Sequence, residues 1–149
     1  FCLWRMVVPV NIGKVHWASV HVDFINHTCV YYDSLSRCGR RYLKLVMLYL
    51  KGEHRAKFNR DLEEEKWTVV DAGKSAEASK IKSLITPIPQ QTNSDDCGMF
   101  TCAYAIYATD RSLISHADGE LGLPFSFNQS NMPYFRQRLA LDILNSKID

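Results

Sequence analysis

A cysteine stands at position 97 in the stretch QQTNSDDCGMF, residues 90–100, one residue before a glycine and directly after a run of turn-forming polar residues. Asn93, Ser94, Asp95 and Asp96 are all capping residue types, so a helix is predicted to start here with Cys97 in its first turn. Unpaired backbone N–H groups and the positive end of the helix dipole stabilise a thiolate at such a place. Together with a nearby imidazolium, that position is a recognised way to lower a thiol pKa from about 8.5 into the range ~3.5–7.5. Gly98 lets another backbone come close. Most free cysteines are instead small buried hydrophobes. Cys2, Cys29 and Cys102 fit that description, whereas Cys97, behind a polar turn, fits it poorly. Asp96 reads as a helix cap rather than a catalyst.

A thiolate nucleophile needs a base, usually histidine, and the base needs an orienting carboxylate or amide. Of the histidines, His54 and His116 lie in polar stretches, His27 lies in a turn, and His21 is on the less apolar face of a strand. His16 stands at the beginning of that strand, where a sheet edge would expose it to a cleft. Asp33 follows 17 residues later, near the end of the next strand. Out along one strand and back along the other brings the two to the same end of a hairpin. The spacing makes this pairing available without deciding it.

The elements that must hold these residues are legible in outline. MVVPVNI (6–12) reads as a buried strand ended by Gly13. In HWASVHVDF (16–24), His16, Ala18, Val20, Val22 and Phe24 share one face, with Trp17, Ser19, His21 and Asp23 opposite. NHT (26–28) supplies a turn and CVYYDS (29–34) a second β-rich run, giving a hairpin with one face in the core. Residues 40–58 read as an amphipathic helix, 61–66 as a solvated segment and WTVV (67–70) as a short strand. Residues 71–83 are small and polar and read as an insertion; LITPIPQQ is kept extended by its prolines. In the helix that follows, Phe100, Ala103, Tyr104 and Tyr107 keep helical spacing. Residues 111–129 read as loop. A last helix occupies 130–145, with Ser130 or Asn131 as cap and Pro133 in its first turn. Strands and helices without a regular βαβ rhythm predict an α+β domain.

Composition narrows the classes. The 149 residues suit one domain, and 18 basic against 16 acidic residues give a net charge of +2, too balanced to argue for a nucleic-acid or membrane partner. No apolar run approaches the ~18 residues of a membrane span. The five cysteines form no CxxC pair and match no zinc module, so neither a metal nor another cofactor is expected, and reduced thiols in the cytoplasm or nucleus are.

VHW, then YYDS, then PQQTNSDDCGMF, then FNQSNMPYFRQRL (127–139) resemble the SUMO (sentrin)-specific proteases, the ubiquitin-like-protein-specific cysteine proteases. The resemblance covers almost the whole chain except 71–83 and 111–123. It implies a papain-like α+β fold, with a central mostly antiparallel sheet flanked by helices. It implies Cys97 as nucleophile, His16 as general base and acid, Asp33 orienting His16, and Gln91 donating to the oxyanion. Trp17 matches the family tryptophan that covers the substrate's glycine pair; a half-buried core aromatic is its alternative description. On the same resemblance, residues 1–149 form a single catalytic domain lacking the family's N-terminal segment, which carries a second tunnel tryptophan that Trp4 does not match. The implied activity is cleavage after the Gly-Gly terminus of SUMO, in precursors and lysine conjugates. A related protease for another modifier (ubiquitin or the neddylation modifier), an acyltransferase of similar fold, and a truncated relative that binds a modifier without cutting it are the alternatives.

Overall fold

The computed structural model describes residues 3–72, 88–109 and 125–145. Strands β1 (Arg5–Ile12), β2 (His16–Asp23), β3 (Thr28–Tyr32) and β4 (Thr68–Asp71) form one sheet in the order β1-β2-β3-β4. The first two pairings are antiparallel and β3–β4 is parallel, which makes the sheet mostly antiparallel. Helices α1 (Arg40–Phe58), α2 (Cys97–Thr109) and α3 (Met132–Leu144) complete the α+β architecture, with short 3-10 turns at Glu64–Lys66 and Gln129–Asn131.

Two tight reversals set where β2 begins and ends. Gly13 and Lys14 both take left-handed backbone angles, φ 59° and 63°, and the register resumes at once with Ile12 opposite His16. At the far end, Asp23 Oδ1 accepts the N–H groups of Ile25 and Asn26, both at 2.9 Å, and His27 turns the chain at φ 49°. His16 is thus the first residue of a strand, as expected, but not at the sheet's edge: β1 lies outside β2 and takes the edge itself. β1 is accordingly half-buried rather than buried, and its exposed Pro9 is tolerated because an edge strand has a side that needs no N–H.

Alternation along β2 places Ala18, Val20 and Val22 with Cys29 and Tyr31 against Leu43, Val46, Met47 and Leu50 of α1. On the other face Val30, Tyr32 and Val70 pack with Phe100, Ala103 and Tyr104 of α2, and with Phe127 and Met132. The hairpin therefore has both faces in the core, not one. Ser19 and His21, on the less apolar face, are buried beside α2 rather than solvated.

The helices match their patterns closely. α1 spans 40–58 and ends on Asn59, left-handed at φ 51°, whose N–H closes onto the Arg55 carbonyl. Its entry is set by Gly39, where an added Cβ would overlap the ring of Tyr31. α3 carries Pro133 at its start, but neither Ser130 nor Asn131 caps it through its side chain. Asn131 holds the N-cap place, while its side chain accepts the Asn128 N–H in a capping box on the preceding 3-10 turn. Cys102 faces outward on α2, contrary to its expected burial. Of the segments expected at 71–83 and 111–129, residues 73–83 and 111–124 lie outside the described residues; Asp71, expected in the first, instead ends β4 and is buried, and Phe127, expected in loop, is buried in the core.

Candidate active site

The start of β2, the segment just past β3 and the start of α2 meet at one corner. His16 Nε2 lies 2.8 Å from Asp33 Oδ1, and both side chains are buried, 2% and 0% exposed. Asp33 is held from two further directions: the Leu35 N–H donates to Oδ1 at 2.7 Å and the Tyr31 hydroxyl to Oδ2 at 2.9 Å. Burial first, then the charge of Asp33, holds the Tyr31 phenol well above its ordinary value, so it stays protonated and donates. With those donors on the carboxylate, His16 contributes Nε2–H to it, which leaves Nδ1 as the nitrogen able to accept a proton.

Cys97 is the first residue of α2 and buried. The helix opens with the Phe100 N–H donating to the Asp96 carbonyl at 2.9 Å, so Asp96 occupies the cap position through its backbone. Trp17, next to His16, lies with its ring 3.7 Å from where a Cβ on Gly98 would be, next to Cys97. Two adjacent pairs, His16–Trp17 and Cys97–Gly98, are thereby brought together. Trp17 is 41% exposed, unlike the rest of β2, so it lies at the surface of this corner and outside the core.

Gln91 is buried at the same corner, and its amide has one orientation. The Ser34 hydroxyl donates to Oε1 at 2.6 Å, and Nε2 donates to the Asn93 carbonyl at 2.7 Å; a carbonyl only accepts, so the nitrogen end is fixed. The Gln91 N–H also donates to the Ser34 carbonyl at 3.0 Å, tying the loop before Cys97 to the residue after Asp33. Gln90 adds a parallel tie, accepting from the Ser36 hydroxyl at 2.8 Å.

The loop between Gln91 and Cys97 is cross-linked as well. Asn93 Oδ1 accepts the N–H groups of Asp95 and Asp96, and its Nδ2 donates to Asp96 Oδ2 at 2.7 Å. That carboxylate also receives Gln129 Nε2 at 2.7 Å and the guanidinium of Arg136. Arg136 first, then Asn93, pulls the Asp96 carboxyl below its usual range. Ser34, Tyr31, Gln129 and Arg136 are contributors that spacing does not reveal, although Gln129 and Arg136 fall inside the FNQSNMPYFRQRL stretch. Among the described residues no group of three or more His, Cys, Asp and Glu side chains could hold a metal ion. No described helix is long and apolar enough to cross a membrane.

This geometry meets a matching family. Residues 5–147 match the model of the Ulp1 protease family, C-terminal catalytic domain. The chain belongs to the Ulp1 protease family. Among that family's curated members, human sentrin-specific protease 2 is 34% identical over 145 residues, which cover 96% of this chain and 20% of the relative. The Arabidopsis thaliana ubiquitin-like-specific protease ESD4 is 28% identical, over 95% of this chain and 24% of the relative. The chain thus spans about a fifth of the length of these curated Ulp1-family relatives. Among solved structures, the C-terminal Ulp1 protease domain in complex with Smt3, the yeast ortholog of SUMO, superposes with a TM-score of 0.65 at 22% identity. That match covers 99% of this chain and 55% of the solved one, and the shared fold is the papain-like α+β arrangement expected from the sequence.

Proposed function

We propose that this chain is a cysteine peptidase of SUMO or a related ubiquitin-like protein, cutting the amide bond after a Gly-Gly terminus in precursors and lysine conjugates. The single observation that carries the chemistry is the buried His16–Asp33 pair, 2.8 Å apart, with the residue next to His16, Trp17, packed against Gly98 beside Cys97. Family membership supports the reaction type; the names of the relatives, and the Smt3 bound to one solved neighbour, support the substrate class.

In this mechanism His16 takes the Cys97 thiol proton at Nδ1, and Asp33 stabilises the resulting imidazolium through Nε2–H. The thiolate attacks the glycyl carbonyl carbon. Negative charge develops on the carbonyl oxygen, which accepts from the Cys97 backbone N–H and from the second N–H of Gln91 Nε2. The C–N bond breaks as His16 Nδ1 returns its proton to the departing lysine amine or α-amine. A thioester on Cys97 remains, and water activated by His16 hydrolyses it, freeing the modifier carboxylate and restoring the thiol. Trp17 over the entrance leaves room for glycines and excludes larger side chains. A reducing compartment, nucleus or cytoplasm, belongs to the same proposal, supported by the free thiols of Cys29, Cys38, Cys97 and Cys102.

The test is capture by SUMO, ubiquitin and the neddylation modifier, each carrying a thiol-reactive C-terminal warhead, read by intact mass on the native chain and on Cys97→Ser. A SUMO adduct on the native chain alone is the expected result. An adduct only with another modifier moves the substrate and keeps the chemistry. Absence of any adduct from folded protein overturns the proposal in favour of a binding role.

A further inference from the structure

Asp96 poses an electrostatic problem. Its carboxylate is one residue before Cys97, is only 10% exposed at the side chain, and is kept ionised by the hydrogen bonds it accepts. A negative charge at that place opposes formation of a second one on the neighbouring sulfur. Two side chains from the far end of the chain converge on it. Arg136 of α3 pairs with Oδ1, and Gln129 reaches Oδ2 at 2.7 Å while its own Oε1 accepts the Thr92 N–H at 2.8 Å. Gln129 therefore reads a donor and an acceptor of one loop at once, and that loop joins Gln91 to Cys97.

We infer that Arg136 and Gln129 are positioning residues for the nucleophile. Arg136 cancels the charge that Asp96 places beside the Cys97 thiolate, and Gln129 clamps residues 92–96 so that the Gln91 amide and the Cys97 N–H point at the same oxygen. This rests on the reading of Cys97 as the nucleophile. Among the described residues, the other charged and titratable groups around the start of α2 are His16 at the start of β2, Asp33 past β3, Asp95 on the loop and, deeper along β2, His21. None of these pairs with Asp96. The Arg136 side chain is 51% exposed, so solvent screens part of its effect and the expected shift is moderate.

The experiment follows iodoacetamide alkylation of Cys97 against pH by peptide mass mapping, beside kcat and KM on a SUMO C-terminal amide. Arg136→Gln should raise the pH midpoint of Cys97 alkylation by about 0.5–1 unit and lower kcat roughly tenfold, with KM held within about twofold. Arg136→Lys, which keeps the charge, should hold the midpoint within about 0.3 unit. Asp96→Asn alone, leaving Arg136 unopposed, should lower the midpoint, and Asp96→Asn with Arg136→Gln should return it to the native value. Gln129→Leu should cut kcat about tenfold without moving the midpoint. A midpoint unmoved by both Arg136→Gln and Asp96→Asn, with only thermal stability lost, overturns the charge role. A native kcat in Gln129→Leu overturns the clamp. Should the native chain cleave no modifier, the alkylation series still decides the charge role, so a wrong substrate and a wrong inference give different results. A Cys97 that alkylates no faster than exposed Cys38 at neutral pH overturns both.

Discussion

Strand β2 carries two buried histidines five residues apart, and their surroundings differ in one respect that decides what each can do. His16 lies against a carboxylate that is itself gripped by Tyr31 and Leu35. His21 lies against a hydroxyl, Ser19 Oγ at 2.9 Å, and tilted against the ring of Tyr32, while its Nδ1 has no hydrogen-bond partner among the described residues. Burial, and then the positive charge of Arg5, holds His21 down to about 3, so it is neutral at any ordinary pH. Burial alone makes a histidine an inert polar filler. Burial with a fixed countercharge makes one that can pass through its protonated form during a reaction.

The comparison can be broken most severely at its catalytic end. His16→Gln should lower kcat/KM for a SUMO C-terminal amide by about 10³–10⁴-fold, whereas His21→Gln should keep it within about threefold. Equal losses would mean that the two sites are not distinct. Gln91→Ala should cost about 10²–10³ in kcat with little change in KM, the signature of a donor used only in the transition state.

A structural prediction comes next. Gly39→Ala pushes a methyl into the Tyr31 ring and should destabilise the fold by about 3 kcal/mol in urea titration. Tyr31→Phe removes only the hydroxyl from Asp33 and should cost about 1–3 kcal/mol.

The smallest effect separates the histidines by pH. For His21 the folded value is lowered, so the unfolded chain binds more protons between about 3 and the ordinary 6.5. Stability contributed by neutral His21 is therefore complete above that window and falls as pH drops through it, by at most ~1.4 kcal/mol per pH unit. Asp96, also lowered in the fold, adds its own loss only below the ordinary carboxylate range near 4. Urea unfolding of His21→Gln at pH 5 and pH 7 should give nearly equal stabilities, and the native chain should be weaker at pH 5.

These results also bear on what a sequence can disclose. The alternation of β2 correctly assigns Ala18, Val20 and Val22 to one face, because strand period is local. The same pattern cannot say whether the face bearing Ser19 and His21 meets water or a second helix, since that depends on where α2 returns. Asp33 is reachable because hairpin register carries it back past the end of β3, with Tyr32 opposite Ser19. The roles of Gln129 and Arg136 are not legible by any spacing rule: they reach Asp96 across 33 and 40 positions, through tertiary packing alone. The edge position of β1, and the outward face of Cys102, were equally matters of assembly rather than of local pattern.

The most direct test of the account is the rate at which a SUMO warhead captures the native chain, His16→Gln and His21→Gln, with the modified residue mapped. The prediction is a one-to-one adduct on Cys97 at native rate in His21→Gln and at a rate at least about 10²-fold lower in His16→Gln. Capture of His16→Gln at the native rate, or an adduct on a cysteine other than Cys97, would contradict it.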